Sequence, residues 1–160
     1  MLNLIRILSF VFCISNVLSQ KTANTGNISY KSECLGVELD GSNTLKAWGN
    51  GRNYNDASEQ AKKNAVRDVI FNGITSGSSE CNSLPIISNQ SVKFDKEEYF
   101  YSFFADNGKY LQFVSLKDER VMSKIKRDKV KNGDTRTHSV VVRVNRFAIK
   151  QQLIKDGIIK

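Results

Sequence analysis

Residues 44–74 read TLKAWGNGRNYNDASEQAKKNAVRDVIFNGI, and they predict a strand followed directly by a helix. Ala57, Ala61 and Ala65 recur at every fourth position of this helix, so they form one row of small side chains. Such a row lets a helix lie close to a sheet. The two glycines that end the strand indicate either a bulge or a close approach of another backbone.

The helix is expected to begin at an Asn55 or Asp56 cap and to run to about Ile74. Gly73 or Gly77 is expected to end it. Several side chains fall off the alanine row and are expected to be solvated: Lys62, Lys63, Arg67 and Asp68.

The remaining patterns predict an α+β fold with the element order ββα-α-βββα. The other predicted elements are a strand over 33–39, a short helix capped by Asp95, strands over 110–116, 121–131 and 135–144, and a helix over 146–155. Asn132-Gly133 is the strongest hairpin signal. Phe147, Leu153 and Ile154 form the apolar face of the last helix. We expect a mostly antiparallel sheet of about five strands, with the helices packed on one face.

Residues 1–19 have the pattern of a signal peptide that is cleaved before Gln20. One positive charge, Arg6, precedes an apolar run that is too short to span a bilayer. Phe12 stands before Cys13, where a lipidated cysteine needs a small residue, so lipidation is not expected. The alternative is an uncleaved membrane anchor. Cleavage predicts a periplasmic or secreted protein that does not span the membrane.

The mature chain is expected to comprise a frayed polar segment, 20–32, and a single α+β domain, 33–160. It retains Cys34 and Cys81, and an even number of cysteines in an oxidising compartment predicts one disulfide. Such a bridge adds roughly 3–4 kcal/mol in the chain-entropy model. Two separate buried thiols are the alternative. If the helix ends at the opposite end of the sheet from Cys34, the loop carrying Cys81 must return along the whole helix.

Sequence signatures of enzymes are absent from the chain. Gly49 and Gly51 belong to a glycine pair that lacks the third glycine and the lysine of phosphate-binding loops. His138 is the single imidazole, and in a strand it is expected to be exposed or hydrogen-bonded. Glu97 and Glu98 are adjacent, so on a helix they do not share a proton. We therefore expect a non-enzymatic protein with no catalytic residue, no cofactor and no metal site.

A basic segment is the strongest charge feature of a chain whose formal net charge is +8. It contains Arg120, Lys124, Lys126, Arg127, Lys129 and Lys131. One interpretation is contact with an anionic surface of lipid or glycan. The favoured alternative is a solvated edge strand that its lysines protect against aggregation. Export makes nucleic acid an unfavourable partner.

Two further segments are candidate partner surfaces. One is the loop over 76–92, which is long for a plain connection. The other is aromatic and contains Phe100, Tyr101, Phe103 and Phe104, for which a place in the core is the competing role. Asn27 and Asn89 begin glycosylation sequons, which matter only in a eukaryotic source.

The alanine-spaced helix after a Gly-x-Gly turn resembles small outer-membrane lipoproteins and the amino-terminal domain of the flagellar assembly protein FlgT. The resemblance covers roughly Leu45–Ile74 and implies a non-catalytic envelope role without active-site residues. We expect an exported interaction domain of a Gram-negative envelope, with an envelope or secreted protein as its partner. The alternatives are an enzyme or enzyme inhibitor with an unrecognised site, or a binder of an anionic polymer or membrane surface through the basic hairpin.

Overall fold

A computed structural model describes residues 31–117, 129–132 and 135–160. In these ranges the strands are β1 (Glu33–Val37), β2 (Asn43–Gly51), β3 (Ser76–Gly77), β4 (Val114–Leu116), β5 (Lys129–Asn132) and β6 (Thr135–Val144). The α-helices are α1 (Tyr54–Arg67), α2 (Ser91–Asp95), α3 (Glu97–Phe103) and α4 (Arg146–Lys155). A π-helical turn (Asp68–Asn72) continues α1, and a 3-10 turn (Lys109–Phe113) precedes β4. The predicted α+β fold is confirmed, whereas the predicted signal peptide lies outside the described residues.

The strands form one mixed sheet in the order β3-β1-β2-β6-β4, with β5 also paired to β6. The pairing of β2 with β6 is antiparallel and unbroken, from Asn43 opposite Val144 to Gly51 opposite Arg136. The pairs β1–β2, β4–β6 and β5–β6 are antiparallel as well, and β1–β3 is parallel. The sheet is therefore mostly antiparallel, as predicted.

The core lies on the side of the sheet that α1 covers. Leu45 of β2 stands opposite Val142 of β6, and both are completely buried. The alanine row of α1 is likewise completely buried. Phe103 of α3 and Leu153 of α4 belong to the same core cluster, so these helices pack on this face too. Burial of such aliphatic and aromatic side chains is the main stabilising term of the fold.

The two glycines of β2 mark the close approach of α1, one of the two possibilities that the sequence leaves open. A Cβ on Gly49 would lie 2.0 Å from the carbonyl oxygen of Ala57, and one on Gly51 would lie 2.4 Å from the Ala57 nitrogen. No bulge interrupts β2 here. The irregularity of the sheet lies instead in β1, between Cys34 and Gly36.

The ends of the first helix differ from the prediction. Asn53, not Asn55 or Asp56, is the N-cap, because its extended backbone lets Oδ1 accept a hydrogen bond from the Asp56 amide at 2.9 Å. The α-helix ends at Arg67 and continues as the π-helical turn, so it does not reach Ile74. Gly73 follows with φ 75°, a conformation that favours glycine.

The π-helical turn receives backbone partners from the long loop that follows it. The amides of Ile86 and Ile87 donate to the carbonyl oxygens of Val69 and Ile70 at 3.1 and 2.9 Å. The guanidinium of Arg146 approaches the Val69 carbonyl at 3.4 Å, and burial lowers the pKa of this arginine. The carbonyls at the end of a helix need such partners when they are buried. This part of the loop is thus locally ordered, as its length predicted.

Two predicted elements of the middle segment are reorganised. Residues 110–116 were expected to form one strand, but a 3-10 turn precedes a short β4, because Tyr110 and Phe113 are both buried at a spacing of three residues. Asp95 ends α2 instead of capping a helix, and Lys96 separates α2 from α3.

The last helix has the predicted bounds but a different apolar face. The Asn145 side chain accepts from the Ala148 amide at 2.9 Å and starts the helix as expected. Ile149 and Leu153 are completely buried, whereas Phe147 is 69% exposed and Ile154 is 39% exposed. The predicted face is therefore wrong for these last two residues. Because the helix starts at the Asn145 cap, positions 149 and 153 lie on the side of the helix that faces the core.

Cys34 and Cys81 form a disulfide, with their Cα atoms 6.0 Å apart. The long return that argued against this bridge is unnecessary. Residues 47–51 of β2 extend beyond Glu33, where β1 starts. The helix α1 therefore begins beyond that end of β1 and runs back along the sheet. The end of α1 then lies beside β1, where Asp68 Oδ2 accepts from the Ser32 amide at 3.0 Å and from its hydroxyl at 2.7 Å. Asp68 is accordingly buried, not solvated as expected.

Within the described ranges, no helix combines the length and the apolar character needed to cross a bilayer.

Candidate functional site

An open groove of about 520 Å³ lies between α1 and the α2–α3 segment. Its floor consists of the rings of Phe71, Phe100 and Phe104, and their three mutual contacts are edge-on, tilted and stacked. Lys63 and Arg67 line it from α1. Pockets of this size accept small ligands or single side chains of a partner. The other wall of the groove is formed by residues of α2 and α3, namely Lys93, Phe94, Glu97 and Tyr101. We call this surface the cation–aromatic groove.

Three cations lie over aromatic rings in or beside this groove. The guanidinium carbon of Arg67 is 5.3 Å from the centre of the Phe104 ring. Lys63 Nζ is 5.6 Å from the Tyr110 ring, and Lys93 Nζ is 5.6 Å from the Phe71 ring. Each contact of this kind contributes about 0.5–1 kcal/mol at an exposed site. The rings therefore hold the positive charges in place at the groove.

Arg67 has no carboxylate partner among the residues that the structure describes. Its hydrogen bond is long, 3.5 Å from Nη1 to the Asn64 side-chain oxygen. Lys63 differs, because it forms an ion pair with Asp106 at 3.3 Å. Asp106 is fully exposed, so this pair is screened by solvent and contributes little. The groove thus presents a half-buried guanidinium that is available to an incoming anion.

The α2–α3 side of the groove carries large exposed rings. Phe94 is 72% exposed and Tyr101 is 83% exposed. Glu97 lies on the same side and is exposed as well. Exposed aromatic side chains around a cavity are typical of a surface that binds a partner.

The four aromatic residues that were candidates for a partner surface are divided by the fold. Phe100, Phe103 and Phe104 are 6%, 3% and 9% exposed and belong to the core. These rings pack edge-on against one another and against Phe71, so they leave little area for a partner, and their role as a partner surface stays a prediction. Tyr101 alone of the four extends into solvent.

The basic segment is only partly described. Arg120, Lys124, Lys126 and Arg127 lie outside the described residues. Lys129 and Lys131 belong to β5, which pairs with β6 and has no other neighbour among the described strands. Contact of the segment with an anionic surface stays a prediction. The interpretation that lysines protect an edge strand stays a prediction as well.

A polar cluster occupies the sheet face opposite α1. The Glu38 carboxylate accepts hydrogen bonds from Lys117 and from the Thr44 hydroxyl, and Arg143 Nη2 lies 3.9 Å away. The hydrogen bond from Lys117, followed by that from Thr44, lowers the pKa of Glu38. These contacts join the β1–β2 turn to the chain after β4, while the buried Nε of Arg143 lacks a hydrogen-bond partner among the described residues. We interpret the cluster as a structural brace.

Residues with catalytic potential are not brought together. His138 is half-buried on β6, with its ring edge-on to Tyr54 at 5.6 Å. Glu97 and Glu98 are exposed in the first turn of α3. Asn27 lies outside the described ranges, and no group of three or more metal-ligating side chains occurs within them. Asn89 is exposed, and its side chain accepts from the Ser91 amide at 3.0 Å.

A second hydrogen-bonded network joins the end of α4 to α3. Asp156 accepts from Gln152 Nε2 at 2.8 Å, from the Tyr99 hydroxyl at 2.7 Å and from Lys109 Nζ at 3.1 Å. Led by Gln152 and Tyr99, these bonds lower the pKa of Asp156 from 3.8 to about 2. Burial, together with the bond to Asp156, raises the pKa of Tyr99. Tyr99 therefore remains a neutral donor to an ionised carboxylate.

This network predicts an acid-sensitive contribution to stability. The folded-state pKa of Asp156 lies below its ordinary 3.8, so the contribution is complete above about pH 4 and disappears as the pH falls through about 2. We expect Asp156→Asn to lower the free energy of unfolding by about 1–2 kcal/mol near neutral pH. Urea titrations near neutral pH and at acid pH measure the difference, which should shrink in acid.

The matched control is Asp106→Asn, which removes a fully exposed carboxylate. We expect it to change the free energy of unfolding by less than about 0.5 kcal/mol. A loss for Asp156→Asn that is equally large in acid would show that the charge of Asp156 is not its source.

The residues that build the groove were not predicted together. Lys63 and Arg67 were expected to be solvated, and the structure places them half-buried against aromatic rings. Their spacing of four residues shows that they share a helix face. Which ring lies beneath that face depends on how α3 packs, and this information is not local to the helix.

No family model matches the chain, and searches of the curated proteins and of the solved structures find no significant match.

Proposed function

We propose that the chain is an exported, non-enzymatic interaction domain of a bacterial cell envelope. Three features support export: the leader pattern of residues 1–19, the disulfide between Cys34 and Cys81, and the resemblance over Leu45–Ile74. Stable disulfides form in oxidising compartments, including the bacterial periplasm. The partner is an envelope or secreted protein.

The cation–aromatic groove is the binding surface in this proposal. The observation that carries it is the combination of Arg67, half-buried without a described carboxylate partner, with the exposed rings of Phe94 and Tyr101. Arginine and aromatic side chains supply much of the binding energy at protein interfaces. The loop over 76–92 contributes by supporting the groove, because its Ile86 and Ile87 amides hold the π-helical turn that carries Phe71.

A photo-cross-linking experiment in the producing cell tests the surface. Tyr101 is replaced by p-benzoylphenylalanine, and Phe147, an exposed aromatic residue on α4, is replaced in the same way as the control. We expect a discrete adduct from position 101 that the additional substitution Arg67→Gln diminishes. Position 147 should not give this adduct. If position 101 gives no adduct, or the same one as position 147, the groove is not the binding surface.

Export is tested separately by the intact mass of the protein from extracytoplasmic fractions, alkylated with and without prior reduction. We expect a chain that begins at Gln20 and takes up alkyl groups only after reduction, because the Cys34–Cys81 bridge blocks both thiols. A chain that retains Met1 and is recovered from the cytosol with free thiols would contradict export.

A further inference from the structure

We propose that the cation–aromatic groove binds an acidic polypeptide segment that carries one aromatic or large aliphatic anchor side chain. The inference rests on the proposed function and names the class of partner at the same surface. It combines the charge of the groove, the apolar character of its floor and the distribution of acids around it.

The first argument concerns charge. Arg67 is held by the Phe104 ring, and among the described residues it has no carboxylate within ion-pair distance. A planar guanidinium donates two parallel hydrogen bonds to a carboxylate, and a stacked guanidinium is already oriented for them. Lys93 stands across the groove over Phe71, also without a described carboxylate partner. Cations on both walls of the groove can therefore bind the carboxylates of a partner.

The second argument concerns apolar surface. Between the cations lies the floor of Phe71, Phe100 and Phe104, bordered by the exposed rings of Phe94 and Tyr101. The floor rings are only 5–9% exposed, so a single aromatic or aliphatic side chain from a partner would gain its apolar contact mainly from Phe94 and Tyr101. Anchors of this kind, inserted in a pocket and surrounded by polar contacts, dominate the energetics of protein interfaces.

The third argument separates a polypeptide from other anionic partners. Glu97 and Asp106 also line the groove, so its lining carries charges of both signs. Phosphate-rich membranes and nucleic acids favour surfaces of one positive sign, because their charges are dense and regular. A polypeptide can place its carboxylates at intervals around an apolar side chain. A lining with charges of both signs therefore favours a polypeptide over these polyanions.

The test uses a defined probe, the acetylated and amidated peptide Glu-Asp-Phe-Asp-Glu, titrated into the isotope-labelled mature protein. Amide chemical shifts of α1 and α3 report binding. We expect saturable shifts that cluster around Arg67 and Tyr101. Arg67→Gln should weaken binding by about tenfold and Lys93→Gln by about threefold, because each removes a charge that faces the peptide.

Lys150→Gln is the matched control, since it makes the same charge change at an exposed position of α4 that does not line the groove. We expect it to leave the affinity within about twofold, as long-range charge effects are screened. The charge-reversed peptide Lys-Lys-Phe-Lys-Lys should not bind.

Three results would overturn the inference: no shifts in the groove, equal weakening by Arg67→Gln and Lys150→Gln, or shifts in the groove produced by phosphatidylglycerol vesicles but not by the peptide. The proposed function would survive these results if position 101 still gave its cross-linked protein adduct. Loss of the adduct would instead overturn the proposed function.

Discussion

Replacing Gly49 with alanine is expected to abolish the native packing of α1 on the sheet. The added Cβ would lie 2.0 Å from the Ala57 carbonyl oxygen and 2.5 Å from the Ala61 nitrogen. Both are backbone atoms of α1, so neither can move aside without displacing the helix. The displaced helix would open the most extensively paired part of the core, where β2 and β6 pack beneath it.

We expect Gly49→Ala to cost more than about 3 kcal/mol, the upper end for overpacked cores, and to leave a partly unfolded chain. Circular dichroism and urea unfolding measure the loss. The control is Gly41→Ala in the β1–β2 turn, where φ is 77° and no atom lies within 4 Å of the added Cβ. That change carries only the conformational cost, about 1–2 kcal/mol. If the two variants are equally stable, the contact between β2 and α1 is looser than the structure has it.

Removing the disulfide is expected to have the second largest effect. The double variant Cys34→Ala/Cys81→Ala opens a loop that spans a sequence separation of 47 residues. In the chain-entropy model this lowers the free energy of unfolding by about 3–4 kcal/mol. Urea unfolding measures it, and the reduced native protein should unfold at nearly the same midpoint as the double variant. A double variant within about 1 kcal/mol of the oxidised protein would contradict this expectation.

The features that the sequence predicts well are those that depend on neighbouring residues. The bounds of β6 and α4 agree with the prediction, because alternating valines define the strand and Asn145 caps the helix. The close packing of α1 on the sheet also follows from local spacing, because a row of small alanine side chains allows the helix backbone to approach the sheet. Each of these patterns lies within about twenty consecutive residues, so it can be recognised from the sequence. The structure adds which other segment each element packs against.

The features that the sequence does not predict depend on contacts between distant segments. The burial of Asp68 depends on Ser32, and the position of Arg67 depends on Phe104. The aromatic segment illustrates the same limit. Its composition allowed both a core and a partner surface, and only the packing of α3 against the π-helical turn separates the buried rings from Tyr101. The candidate site was therefore not predictable as a unit.

The covalent link between β1 and the long loop constrains a segment that also supports the groove. Cys81 fixes the loop, and the same loop, through its Ile86 and Ile87 amides, holds the turn from which Phe71 enters the groove floor. A reduced chain would lose this mechanical support. If the groove binds as proposed, we therefore expect the reduced protein to bind more weakly than the oxidised protein.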